Sequence, residues 1–522
     1  MSEREQVARA AGILTVAMIL SRILGYVRDL ALYAQFGQNR VTDAYNAAFS
    51  IPDFIYMILV GGALSSAFIP VFGGYVATAR EEEGWYVASS LLNLIILLLL
   101  FGITLGFIFT PQLIRILVPG FSDREIELTV HLTRIMFVQT FFMGLSGVTT
   151  GILNSYKHFT APALGSVLYN LTIIAVGWNL APYLGITAYS LGVVGGAVLN
   201  FAVQIPPLLR LGLRYRPVLD LRHPGIKQIG VLVFPVLVGL SASQFNLFVS
   251  QNLASELPGG LLAALRTAQR LMQVPIGIFA VAIGTAVFPT LTSQAARKEW
   301  DQFRRTASLG LRTVNFLTLP ATAFLIALGV PLIRLLFEAG RFTPENTQAT
   351  AVALFYYSFG IVGYSGALVL NRVFYALKDT KTPVIVGVVT VFLNIVLNIL
   401  LIRVLGHGGL ALAYSVVGIV NMIVLLVVLR WKVGALGGSR ILYSGAGAFL
   451  SSVFVAVFSY AVVGRVEGIL GTASKLSQLV AVGAGVFTGI ILYLALAYLL
   501  HLEELQLIFD LIQKRLRHNR GR

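Results

Sequence analysis

The chain has no cysteine in 522 residues. Disulfide staples, thiol chemistry and cysteine-ligated metals are therefore excluded, and the redox compartment is left open. Charge is also scarce. Asp, Glu, Lys and Arg make up 11% of the residues, less than half of the roughly 25% usual in a soluble domain. Acids are the scarcer sign, 22 against 38 Lys and Arg, for a formal net charge of +16. Long polar connections are few, the longest being Arg210 to Lys227 and Ser293 to Arg305, which leaves no room for a sizeable soluble domain. With no folded soluble module to carry a basic stripe, the excess positive charge is not a nucleic-acid surface. It reads as membrane topology and contact with anionic lipid. His158 and His407 have no metal-ligand companions, so no metal or other cofactor is expected.

What the chain has in abundance is apolar sequence. Hydrophobic residues make up 57% and the mean hydropathy is +0.84, the signature of an all-α integral membrane protein. Windows of about 20 apolar residues predict fourteen transmembrane helices. They begin near Ala8, Tyr45, Tyr86, Leu128, Pro162, Thr187, Ile226, Gly260, Ser308, Thr347, Pro383, Gly409, Ile441 and Leu476. The first follows Glu3 and Glu5, contains Arg22 and lacks an Ala-x-Ala cleavage site, so it reads as a retained helix rather than a signal peptide. An even number of spans puts both termini on one side. The basic cluster Arg210, Arg214, Arg216, Arg222 and Lys227 marks that side as cytoplasmic.

The chain is also duplicated. Leu113-Ile114-Arg115-Ile116-Leu117 recurs as Leu332-Ile333-Arg334-Leu335-Leu336, Ala67-Phe68-Ile69-Pro70 as Ala286-Val287-Phe288-Pro289, and Lys157-His158-Phe159-Thr160-Ala161-Pro162 as Lys378-Asp379-Thr380-Lys381-Thr382-Pro383. The offsets are 334 − 115 = 219, 289 − 70 = 219 and 383 − 162 = 221. A period of that length holds six helices and predicts two parallel-repeat six-helix bundles with a substrate site between them. The expected domains are residues 1–222 and 223–436 for the bundles, 437–500 for helices thirteen and fourteen, and 501–522 for an interfacial amphipathic tail.

Charges inside the apolar stretches carry the functional signal. Arg22, Arg28 and Asp29 sit in the first. An arginine at the centre of a membrane helix costs about 2.5–3.5 kcal/mol, so such residues need a wet cavity, a partner or an anionic ligand. Asp29 offsets one of the two positive charges and leaves the other. At 100° per residue Arg22 and Asp29 share a face, and the three residues are expected to line one wall of a cavity. At 1.5 Å per residue, Arg22 lies about 21 Å along an outward-running helix, and Arg266 and Arg270 lie about 9 and 15 Å down an inward-running one. The two bundles are thus expected to bring arginines to overlapping depths. Arginine's planar fork suits phosphate or pyrophosphate.

Ser21-Arg22-Ile23-Leu24-Gly25-Tyr26-Val27-Arg28-Asp29, Thr42-Asp43-Ala44-Tyr45 and Gly62-Ala63-Leu64-Ser65-Ser66-Ala67-Phe68-Ile69-Pro70 resemble the N-terminal signature of the MurJ (MviN) family of lipid II flippases. Arg270-Leu271-Met272-Gln273-Val274-Pro275, Ile283-Gly284-Thr285-Ala286-Val287-Phe288-Pro289 and Asp379-Thr380-Lys381-Thr382-Pro383 extend the match along the chain. The resemblance implies the fold of the multidrug, oligosaccharidyl-lipid and polysaccharide exporter superfamily, with helices thirteen and fourteen forming a lipid-lined groove. The implied substrate is the undecaprenyl-pyrophosphate-linked peptidoglycan precursor, moved from inner to outer leaflet of the bacterial cytoplasmic membrane, and a monomer is expected to suffice.

By the same resemblance Arg22, Arg28, Asp29, Asp43 and Arg270 match cavity and gate positions. Asp53 matches the second residue of the family's Pro-Asn or Pro-Asp pair, and Tyr56 stands where well-studied members have an arginine. Gln269 and Gln273 replace acids that flank Arg270, and Arg266 is expected to supply the missing positive charge. The sodium site of some members maps to Asn394 and Asn398, neither a carboxylate, and hydrogen bonding between helices is the favoured role of this pair. Two other readings remain: a carrier of another polyprenyl-pyrophosphate-linked saccharide, and a membrane-embedded glycosyltransferase. An enzyme needs a positioned base or metal site, whereas the acids of the expected outer loops, such as Asp123, Glu127, Glu338 and Glu467, are scattered.

Overall fold

The computed structural model describes residues 3–61 and 67–505, with side chains from Val16 onward except at six positions within 235–243. Among these residues every regular element is helical. Two compact units are present, one built from residues 1–263 with 339–342, the other from 264–338 with 343–522.

The first unit contains α1 (Glu3–Phe36), α2 (Arg40–Ala48), α3 (Ser50–Tyr56), α4 (Ile69–Ala77), α5 (Glu81–Leu117), α6 (Asp123–Ser155), α7 (Thr160–Leu184), α8 (Thr187–Ala202), α9 (Ile205–Arg210) and α10 (Pro224–Ser255). Helix starts follow from capping chemistry. Asn39 Oδ1 accepts the N–H groups of Val41 and Thr42 while Thr42 Oγ1 accepts that of Asn39, a closed capping box that starts α2. Ser122 and Glu125 do the same for α6. Pro52 lacks an N–H, and the second predicted span is accordingly broken between α2 and α3 before passing into a π-helical stretch at Met57–Gly61. Residues 62–66 of the Gly62–Pro70 motif lie outside the described residues. The core of this unit gathers Phe68, Phe72, Trp85 and Leu99, with Tyr56 leaning on it.

The second unit contains α11 (Leu261–Pro275), whose first three residues belong to the first unit, then α12 (Val281–Ala296), α13 (Trp300–Ala327), α14 (Gly329–Phe337), α15 (Pro344–Ser358), α16 (Gly360–Ala376), α17 (Lys381–Leu405), α18 (His407–Val433), α19 (Gly438–Leu470) and α20 (Lys475–Leu499). Helix α16 lies so close to α18 that a Cβ on Gly363 would fall 2.4 Å from the backbone nitrogen of Ile419. Helices α19 and α20 pack on each other and on α13 and α14. Between α16 and α17, Asp379 accepts Thr382 N–H at 3.0 Å and Thr382 Oγ1 at 2.6 Å and pairs with Lys432. Burial opposes its ionisation, yet these donors hold its pKa at about 2, so the Asp-Thr-Lys-Thr-Pro motif works as a charged staple at the start of α17.

Among the described residues eleven helical segments are long and apolar enough to cross a membrane, and α15 with α16, bent by 44°, makes a twelfth. Helices α1 and α10, of 34 and 32 residues, fall outside that count. Local features recur between the units at the spacing of the sequence repeats. The π-helical stretches begin at Met57 and Ile276 (276 − 57 = 219). Lys157 and Lys378 both have φ of 59° (378 − 157 = 221), and Gly185 and Gly406, which end α7 and α17, have φ of 57° and 55° (406 − 185 = 221). Division by compactness falls later than the repeat boundary near residue 222, because α10 packs on α4 and α5. The amphipathic tail is outside the described residues beyond Leu505.

Candidate functional site

Helix α1 brings Arg28 against its own neighbour. Arg28 Nε and Nη2 donate to Asp29 Oδ1 at 3.1 and 3.0 Å, and the Asp29 side chain is almost fully buried. Arg28 Nη1 donates to Asn170 Oδ1 on α7 at 3.3 Å. The orientation of that amide is set from the other side, where Asn170 Nδ2 donates to Ser166 O at 3.1 Å and to Ser21 Oγ at 3.3 Å. A guanidinium has five N–H donors, and these contacts engage three. One N–H on each terminal nitrogen remains, which is the fork that takes a phosphate or carboxylate end-on. Tyr45 and Tyr169 lie close enough for the charge of Arg28 to act on both hydroxyls. Arg22 is exposed and stands apart from this network, so Arg22, Arg28 and Asp29 do not form a single cluster.

Asn170 was invisible to sequence reading, because an asparagine in an apolar helix has no motif around it. A hydrogen bond to a charged group contributes about 1.5–3 kcal/mol, and at 3.3 Å this one belongs near the lower bound. Asn170→Ala is accordingly expected to weaken anion binding at Arg28 about tenfold without loss of protein. Asn170→Asp is expected to be worse, since a second carboxylate would compete with an anion for Arg28. Anion titrations of the purified variants check both, and unchanged affinity in either variant would show that the amide does not position Arg28.

A second constellation closes the end of the first unit where α1, α5 and α10 finish and α2 and α6 begin. Asp43, buried on α2, accepts the N–H of Gly260 at 2.6 Å and of Ala263 at 2.8 Å, capping the start of α11. Helix N-terminal donors have no partner within their own helix, which is why a carboxylate there is stabilising. The turn that delivers them needs glycine: Gly260 has φ of +90°, and a Cβ on it would lie 2.4 Å from Gln38 O. Arg40 ties the same loop down, donating from Nη1 to Ser255 O at 3.1 Å and from Nη2 to Leu257 O at 2.8 Å, with its guanidinium over the Phe121 ring. Ser50 Oγ donates to Gln251 Oε1 at 2.7 Å one step deeper. Asp53 is exposed and takes no part in the capping of α11, and Tyr56 is half-buried against the core.

In the second unit Arg266 and Arg270, four apart on α11, are both partly buried. Arg266 is close enough to Tyr357 for its charge to act there, and Gln269 lies within hydrogen-bonding reach of Tyr414. Tyr414 stacks on Tyr364 with centroids 4.5 Å apart and meets Tyr357 edge-on at 5.6 Å. Gln273 is exposed. Sequence reading missed these tyrosines, which are scattered over α15, α16 and α18. Asn398 donates to Asn394 along α17 at 3.0 Å, and both are fully buried. Among the described residues no group of three His, Cys, Asp or Glu is placed to hold a metal.

Long apolar helices carrying engaged arginines and a capped helix break define a polytopic helical membrane protein. Its fold is that of the exporter superfamily: a solved inward-facing multidrug resistance MATE family transporter of the MOP superfamily matches with a TM-score of 0.65 over 82% of this chain and 99% of that one, at 17% identity. At the level of the family, the model "Lipid II flippase MurJ" matches residues 32–500, and the chain belongs to the MurJ lipid II flippase family. A curated lipid II flippase MurJ of Burkholderia cenocepacia is 31% identical over 79% of this chain and 81% of its own length. A probable lipid II flippase MurJ of Bdellovibrio bacteriovorus is 29% identical over 97% of each. A structure titled "Lipid II flippase MurJ, inward closed conformation" has a TM-score of 0.76 and 28% identity over 93% of this chain and 98% of that one.

Proposed function

We propose that this protein moves lipid II, the undecaprenyl-pyrophosphate-linked disaccharide-pentapeptide, from the inner to the outer leaflet of the bacterial cytoplasmic membrane by alternating access. The observation that carries the reading is Arg28: within a lipid II flippase family chain, a membrane helix keeps a guanidinium whose end-on fork is left for an anion. Arg28, with Arg22, Arg266 and Arg270, supplies pyrophosphate ligands, Asp29 and Asn170 aim Arg28, and Gln269 and Gln273 border Arg270. The capping of α11 by Asp43, with Arg40 on the same loop, serves as the outer gate. Of fourteen spans, the twelve above with α1 and α10, the first twelve form two parallel six-helix repeats, a reading supported by the recurrence of local features at 219 to 221 residues. Residues 437–500 add the last two helices, both termini face the cytoplasm, and the unit of transport is a monomer. The role is transport rather than catalysis.

The test is growth. A strain depleted of its own lipid II flippase should be rescued by this chain, with labelled lipid II appearing in the outer leaflet. If the protein reaches the membrane in normal amount and neither occurs, lipid II is not the cargo, and another polyprenyl-pyrophosphate-linked saccharide takes its place.

A further inference from the structure

Pro111 lies inside α5. Proline has no N–H to give to the carbonyl four residues earlier, so the Phe107 carbonyl is freed from the helix ladder. It accepts Thr110 Oγ1 at 3.1 Å and, across from α6, Arg134 Nη2 at 3.5 Å. The Arg134 guanidinium lies over the Phe107 ring, 4.8 Å from its centroid. These are weak contacts for a charge eleven residues into a membrane-spanning helix, about 16 Å from its first residue. Among the described residues Arg134 pairs with no carboxylate, and its Nε is buried without a hydrogen-bond partner. Ile108, Phe109, Ile116 and Val138 nearby on the same two helices are exposed. An arginine held in an apolar belt with most of its donors unused calls for an anion.

Beside it opens a cavity of about 540 Å³ lined by Pro111, Arg115, Asp123, Glu127, His131 and Arg134. Glu127, His131 and Arg134 are spaced four and three apart and so share one face of α6. Their charges are layered along that face, with the cation deep and the carboxylates toward the helix start. Arg115 and Asp123 pair only loosely, at 3.4 Å with both side chains largely exposed, and exposed pairs of this kind hold their partners weakly. A ligand that fits carries its negative group toward the membrane interior and a positive group toward the helix end. That is the order of phosphate and ammonium in an aminophospholipid head, whose acyl chains would lie along the exposed apolar side chains.

We propose that the cleft between α5 and α6 binds the phosphoethanolamine head of a membrane phospholipid, with Arg134 as the phosphate ligand and Glu127 and Asp123 as acceptors for the ammonium. On the orientation given above this lipid belongs to the outer leaflet, and the site is separate from the one assigned to transported lipid.

The test is native mass spectrometry of the full chain in detergent, titrated with short-chain phosphatidylethanolamine and, separately, phosphatidylglycerol. The wild type should retain phosphatidylethanolamine the more strongly. Arg134→Gln should weaken both lipids at least tenfold, with Arg134→Lys partly restoring them. Asp123→Asn with Glu127→Gln, at exposed positions that folding tolerates, should lower phosphatidylethanolamine to the level of phosphatidylglycerol and leave the latter unchanged. Equal retention of the two lipids by the wild type, unchanged binding in Arg134→Gln, or an unchanged preference in the double variant would overturn the proposal. Because no transport is measured, failure here is distinguishable from failure of the flippase reading.

Discussion

Arg28→Ala and Arg270→Ala are each expected to abolish rescue of a flippase-depleted strain while the protein still inserts and accumulates. Arg28 spends three donors on Asp29 and Asn170. Those contacts orient the side chain but cannot account for keeping a positive charge at that depth, since an apolar residue would cost less there. Arg270 lies on the same face as Arg266, one turn further along α11. Lysine at either position keeps the charge and loses the two-pronged geometry, so partial function is expected from Arg28→Lys and Arg270→Lys. Full growth of either alanine variant at normal expression would remove that residue from the set of substrate ligands. Arg28→Ala also leaves the buried Asp29 without its cation, so its membrane level must be measured alongside growth.

Asp43→Ala is expected to have the next largest effect. Its carboxylate takes two N–H groups at the start of α11, and a buried donor left without a partner costs about 1–3 kcal/mol. Losing both favours the state in which the loop from Ser255 to Gly260 moves away. Growth should fall sharply. The absence of native cysteine allows a direct readout: Ala254→Cys, buried in the wild type, should gain reactivity toward a membrane-impermeant maleimide in the Asp43→Ala background. If growth stays normal and Cys labelling stays absent, Asp43 caps a helix without gating anything. Asp43→Asn keeps one acceptor oxygen and is expected to fall between the two.

How far the site could be read in advance differs residue by residue. Arg28 stood out because lipid excludes charge, an argument that needs no contacts. Asp29 was legible as a partner of one arginine, although successive helix positions diverge by about 100°, but Asn170, 142 positions away, was not. Arg22 shared the same signal and ended exposed. Asp43 lay in a recognisable Thr-Asp-Ala-Tyr motif, but its donors are 217 and 220 positions away. That Arg134 would take a carbonyl freed by Pro111 was not legible in the sequence.

The amino-acid sequence alone determined that the chain is helical and membrane-embedded, roughly where its long helices run, and that two stretches about 220 residues apart carry the same motifs. All three follow from local physics, because a hydrocarbon solvent obliges each segment to satisfy its own backbone and to present apolar side chains. Tertiary structure decided which polar group meets which: Arg28 with Asn170, Asp43 with the start of α11, Arg134 with a carbonyl that Pro111 released. Such pairings depend on the approach of helices distant in sequence, and on which few donors and acceptors remain once each helix has used its own. No local periodicity encodes that remainder.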